Sequence, residues 1–163
     1  TVHSLIDRIE NVSGRIEGHY DLIMSSLAYH HMPLEKKRIH LRVLAPHCDH
    51  FAIFEVDANN DTPELGTPEL ALSVYQSYGQ IIGFVFAHDA PVDVALASVD
   101  CFLMTEAVSL LTQPRGVRND YHMLRSQWQA LFDEELGQAF ACGCDSVCYA
   151  DEYLNLFTMH YGR

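Results

Sequence analysis

Residues 20–32 read Tyr-Asp-Leu-Ile-Met-Ser-Ser-Leu-Ala-Tyr-His-His-Met, and they restrict the fold more than any other stretch of the chain. Tyr20 to Met24 is a short apolar run, bounded by Gly18 on one side and by Ser25-Ser26 on the other. Such a run is the pattern of a central parallel strand covered on both faces. Open α/β sheets place their ligands at the carboxyl ends of strands of this kind. The small and polar residues from Ser25 to His31 are therefore the first candidates for a site.

The neighbouring segments extend this strand into a unit. Residues 33–44 read as a helix with Pro33 at its first turn, a partly apolar face of Leu34, Ile39, Leu41 and Leu44, and Pro46 as a stop. Phe51-Ala-Ile-Phe-Glu-Val56 is a second apolar strand, running into the polar loop Asp57-Ala-Asn-Asn-Asp61. Strand, helix and strand with short links make a βαβ unit and a parallel pair. Upstream, residues 2–6 read as a further short strand.

Downstream the periodicity changes. Thr62-Pro-Glu-Leu and Thr67-Pro-Glu-Leu each set a hydroxyl, a proline and a glutamate as a helix start requires. Residues 68–111 read as two apolar helices, interrupted near His88-Asp-Ala-Pro91. Gln113-Pro-Arg-Gly116 ends the second. Asn119 or Asp120 is the expected cap of an amphipathic helix carrying Tyr121, Leu124, Trp128, Leu131, Phe132 and Leu136, closed by Gly137. Residues 140–149 and 153–161 then read as two strands of an antiparallel hairpin.

A net charge of −12 without any basic run argues against nucleic acid and against an anionic membrane surface as partners. No charge-free run reads as long enough to span a bilayer, so no membrane is expected. Five irregularly spaced cysteines fit free thiols in a reducing cytoplasm. Cys142, Cys144 and Cys148 are expected on one strand face as buried thiols, and no metal site is predicted. The chain opens at Thr1 and moves almost at once into structured-looking sequence, which suggests a processed or truncated polypeptide.

Taken in order, these motifs resemble the second half of a class I S-adenosylmethionine-dependent methyltransferase. Tyr20-Asp-Leu-Ile23, Ser25-Ser26 and Tyr29-His-His31 are similar to that family's fourth strand and the segment after it. Arg42-Val-Leu-Ala-Pro46 is similar to its approach to the fifth strand, although His47-Cys48 stand where two glycines are usual. The terminal hairpin would be the family's closing one, whose last strand lies between the fifth and the sixth. No Gly-x-Gly-x-Gly occurs in the 163 residues. The resemblance thus implies a partial Rossmann-like α/β sheet in one domain, residues 1–163, with a helical insertion at residues 62–118.

The resemblance also implies roles. Ser25, Ser26 and Leu27 would contact the methionine part of S-adenosylmethionine, with Asp7 the nearest candidate for the adenine and Glu10 a weaker one. His30 and His31 would orient a substrate or act as general base. Glu55, Asp57, Asn59 and Asn60 crowd the end of the next strand and suit a polar or cationic substrate; Tyr75 and Tyr78 could face the same cleft. The expected activity is methyl transfer to a small-molecule acceptor in the cytoplasm. The alternative is a truncated or degenerate domain without activity that pairs with itself, or with another protein, through an exposed strand edge. A homodimer is expected on either reading.

Overall fold

The computed structural model describes residues 4–59, 61–87, 91–115, 117–118, 120–150 and 155–163. After a single turn, α1 (Ile9–Val12), the chain enters β1 (Tyr20–Ser26), α2 (Leu34–Leu44) and β2 (Cys48–Val56). β1 and β2 pair in parallel, with Leu22 opposite His50 and Met24 opposite Ala52. β3 (Ala141–Ala150) and β4 (Asn155–Gly162) form the antiparallel hairpin. β4 is inserted antiparallel beside β2, which gives a four-stranded mixed sheet in the order β1-β2-β4-β3.

Alternation along the strands decides which sheet face is covered. Phe51 and Ile53 of β2 and Phe157, Met159 and Tyr161 of β4 point to one side and are buried. There they meet Leu41 and Leu44 of α2, and Trp128, Leu131, Phe132 and Leu136 of α6 (Arg125–Leu136). Burying each of these side chains is worth roughly 1.5–3 kcal/mol, so this layer outweighs helix propensity in holding α2 and α6. Lys37 lies within it, fully buried, its Nζ 4.4 Å from the centre of the Trp128 ring and 2.6 Å from the Tyr121 carbonyl.

The remaining helices pack on one another. Thr67 caps α3 (Pro68–Ala87), its Oγ1 accepting the Leu70 N–H at 3.3 Å. α4 (Val92–Ser98) continues through a π turn at Val99–Leu103 into α5 (Met104–Thr112). Leu70, Val74 and Tyr78 of α3 meet Leu103, Ala107 and Leu110 in a second core. Both Pro68–Ala87 and Val92–Thr112 are long and apolar enough to cross a membrane, contrary to the expectation that no run reaches that length. From Leu70 to Ala87 the sequence has no Asp, Glu, Lys or Arg, and its scattered serines and glutamines make that charge-free run look shorter than it is.

Several expectations are corrected. β1 is an edge strand, not a central one: Tyr20, Leu22 and Met24 are 45%, 51% and 71% exposed. An apolar run records that a strand can be covered, not that anything covers it. Ser4 to Ile6 form no strand, and the rest of that expected element lies outside the described residues. Asp120 does not cap α6; it lies before it and is buried, while Leu124 precedes the helix with its N–H donated to the Gln127 side chain at 2.8 Å. Cys142 and Cys144 do not share a face, because a bulge sets Cys142 opposite Tyr161 and Cys144 opposite His160. Those two thiols and Cys148 are exposed, and among the cysteines only Cys48 is buried.

Candidate functional site

Three segments converge at the carboxyl ends of β1 and β2. The first is the turn leaving β1. Leu27 adopts a left-handed backbone, φ 48°, and donates its N–H to the Phe54 carbonyl at 2.8 Å. A leucine in this region is strained unless its surroundings fix it. Glu55, wholly buried at the end of β2, supplies that constraint. Its Oε1 accepts the N–H groups of Ala28 at 3.0 Å and Tyr29 at 2.7 Å, and its Oε2 engages Nδ1 of His30 at 2.7 Å.

The third segment lies between α5 and α6. The Tyr121 N–H donates to the His30 carbonyl at 2.7 Å, and its carbonyl accepts from Lys37. Tied at both groups, Tyr121 brings its two neighbours against the histidine pair. The His122 ring stacks on His30 at 5.0 Å and 11°. Asp120 lies 3.4 Å from Nδ1 of His31 and accepts the Tyr78 hydroxyl at 3.4 Å.

Burial and charge set the protonation of this cluster. Burial pushes the Glu55 carboxyl up, but the His30 hydrogen bond and charge, with the Tyr29 and His30 amides, outweigh it and hold it below its ordinary value. Burial likewise opposes ionisation of Asp120, yet hydrogen bonds with His31 and Glu106 hold it down. Glu106 is driven the other way, up to about 8, by burial first and by its hydrogen bond to Asp120 second, so of the two acids it is Glu106 that keeps the proton. Burial, then the charge of His30, lowers His122 to about 4, which leaves it neutral at pH 7. Burial lowers Lys37 to about 8.

The cluster forms one wall of a cleft of about 620 Å³ between the strand ends and helices α3 and α5. That volume suits a small-molecule or cofactor site. Among the expected site residues, Leu27, His30, His31, Asp57, Asn59 and Tyr78 line it. Asp57 also accepts the Arg125 N–H at 2.8 Å, at the first turn of α6.

Other candidates lie elsewhere. Ser25, within β1 opposite Ile53, is buried with no hydrogen-bond partner for its Oγ, and Ser26 is exposed. Glu55 lies behind the wall and positions it without lining it. Tyr75 is 75% exposed on the outer side of α3, so its spacing from Tyr78 does not bring both to the cleft. Asp7 is held locally by Asn11 and Arg15, at 2.9 and 2.8 Å, and does not reach it. Asn60 and the Glu10 side chain lie outside the described residues.

The sequence reading missed Glu106 and His122 and misassigned Asp120. No spacing rule links residues 106, 120 and 122 to the histidine pair; only the run of polar residues before the Trp128 helix was visible. No protein-family model matches the chain, and no curated protein matches it.

Proposed function

We propose that this chain is a methyltransferase-type domain that takes S-adenosylmethionine in the cleft at the ends of β1 and β2 and serves a small-molecule acceptor in the cytoplasm. The single observation that carries this reading is the strand order β1-β2-β4-β3 with the last strand antiparallel, above which the cleft opens. It is the order that the resembled family would give a partial Rossmann-like sheet.

The cleft chemistry fits one end of that cofactor. When bound, S-adenosylmethionine supplies an electrophilic methyl group on a positively charged sulfur. Asp57 and the ionised Asp120 make the cleft attractive to such a cation, and Leu27 with the pinned turn offers backbone groups beside it. Asp7, expected near the adenine, is not part of this cleft. His31, paired with Asp120, is the group positioned to receive a proton from the acceptor. Holding donor and acceptor in register supplies most of the rate in this chemistry.

Calorimetric titration of S-adenosylmethionine into this chain and into any longer parent tests the reading. Submillimolar binding supports it; no binding even in a longer parent overturns it. A second reading, an inactive module that pairs through its sheet edge, is favoured by the exposed Tyr20, Leu22 and Met24. Binding by this chain alone would overturn that one.

A further inference from the structure

We propose that His30, His31 and Asp120 form a binding site for a divalent cation of the Zn2+ class. One ligand atom from each lies within 4.8 Å of the others. Two imidazoles and one carboxylate are a donor set that borderline metals prefer, whereas Mg2+ and Ca2+ favour oxygen ligands alone. Tetrahedral bonds of about 2.0–2.1 Å put ligand atoms roughly 3.3 Å apart, so the present spacing needs a contraction of no more than about 1.5 Å. His31 and Asp120, at 3.4 Å, already have that separation.

Three further features belong to a metal centre more than to a chance cluster. Glu55 engages Nδ1 of His30 at 2.7 Å, the carboxylate–histidine arrangement that fixes a ligating ring and leaves Nε2 as its donor. Asp120 is fixed in turn by the Tyr78 hydroxyl. His122, stacked on His30, has a buried Nδ1 without a hydrogen-bond partner, so another nitrogen donor stands beside the triad.

All three ligands line the cleft. A metal held by three protein groups keeps a position for a water or a substrate oxygen, the open form of a catalytic site and not the closed form of a structural one. The inference needs only this geometry and does not rest on methyl transfer; a metal on His31 and Asp120 would replace the proton-accepting role given to His31, so the two are alternative uses of one cleft.

The experiment uses the full chain with Cys101, Cys142, Cys144 and Cys148 replaced by serine, because those exposed thiols would bind metal themselves. Co2+ is titrated in, its visible absorption followed, and Zn2+ used to displace it. One equivalent with the spectrum of a nitrogen–oxygen site is expected. His31→Ala and Asp120→Asn should each weaken binding about 100-fold and Glu55→Gln about 10–100-fold. His31→Gln, which keeps the side-chain bulk, guards against misfolding, and circular dichroism checks each variant. No binding by the chain that keeps only the buried Cys48, or binding within about threefold of that parent in folded H31Q and D120N, overturns the proposal.

Discussion

Glu55 and His30 are paired at 2.7 Å across two elements that the chain separates by an entire helix. One carboxylate gathers the His30 side chain and the backbone amides of Ala28 and Tyr29, the residues that directly follow the left-handed Leu27. A buried carboxylate is expensive unless hydrogen bonds surround it, and here they do. The last buried residue of β2 is thus the foundation of the cleft wall and not its lining.

Removing that foundation should be costly. Glu55→Ala leaves amides and an imidazole buried without a partner and is expected to destabilise the fold by about 3–5 kcal/mol. Glu55→Gln keeps an acceptor for the Ala28 and Tyr29 amides and should cost about 1–3 kcal/mol. Urea unfolding at pH 7 measures both. A Glu55→Ala loss under about 1 kcal/mol would mean that the turn is held by something else.

The strain at Leu27 is separately testable. Its left-handed backbone costs an L-residue about 1–2 kcal/mol, which glycine escapes at the price of a more flexible unfolded chain. Leu27→Gly should therefore change stability by less than about 1 kcal/mol. Leu27→Val, β-branched in the same region, should lose about 1–2 kcal/mol. Equal effects of the two substitutions in thermal denaturation would argue that the left-handed turn is not maintained in solution.

How much of this was legible beforehand depended on whether the signal was local. β1, α2 and β2 announce themselves by apolar runs and a proline within 40 residues, and the hairpin and α6 by their own periodicity. His30 and His31 stood out because they follow a strand. Asp120 and His122 did not, because a hydrogen bond between Tyr121 and His30, distant in sequence, is what delivers them. Glu55 was visible as a polar residue at a strand end, but alternation along β2 turns it inward. The exposure of β1 was hidden for a simpler reason: central and edge strands can carry the same apolar run.

His122 makes stability depend on pH in a definite direction. Its pKa in the fold is about 4 against an ordinary 6.5, through burial first and the nearby charge of His30 second. Between those values the unfolded chain binds the proton and the folded chain does not, so acidification favours unfolding. Relative to His122→Phe, chelator-treated protein should lose stability from pH 6.5 down to 4, by up to about 1.4 kcal/mol per pH unit. Urea melts across that window measure the difference. A difference that stays flat would show that His122 is protonated in the fold.

The open edge of β1 leads to the last prediction. Leu22 and Met24 face away from the core on the outermost strand, and β1 pairs only with β2 among the described residues. A two-fold axis beside that edge would set β1 antiparallel to its copy, with the same residues in contact from both sides. Lysine at such positions is how natural edge strands resist pairing, since like charges then meet across the axis. Leu22→Lys with Met24→Lys should leave unfolding of the isolated chain within about 0.5 kcal/mol per substitution, because both sites are exposed. The same pair should shift a homodimer to monomer in sedimentation velocity over a wide concentration range. If the unaltered chain is already monomeric throughout, the homodimer is wrong; if both forms dimerise equally, the contact lies elsewhere, and the apolar outer faces of α3 and α5 are the next surfaces to charge.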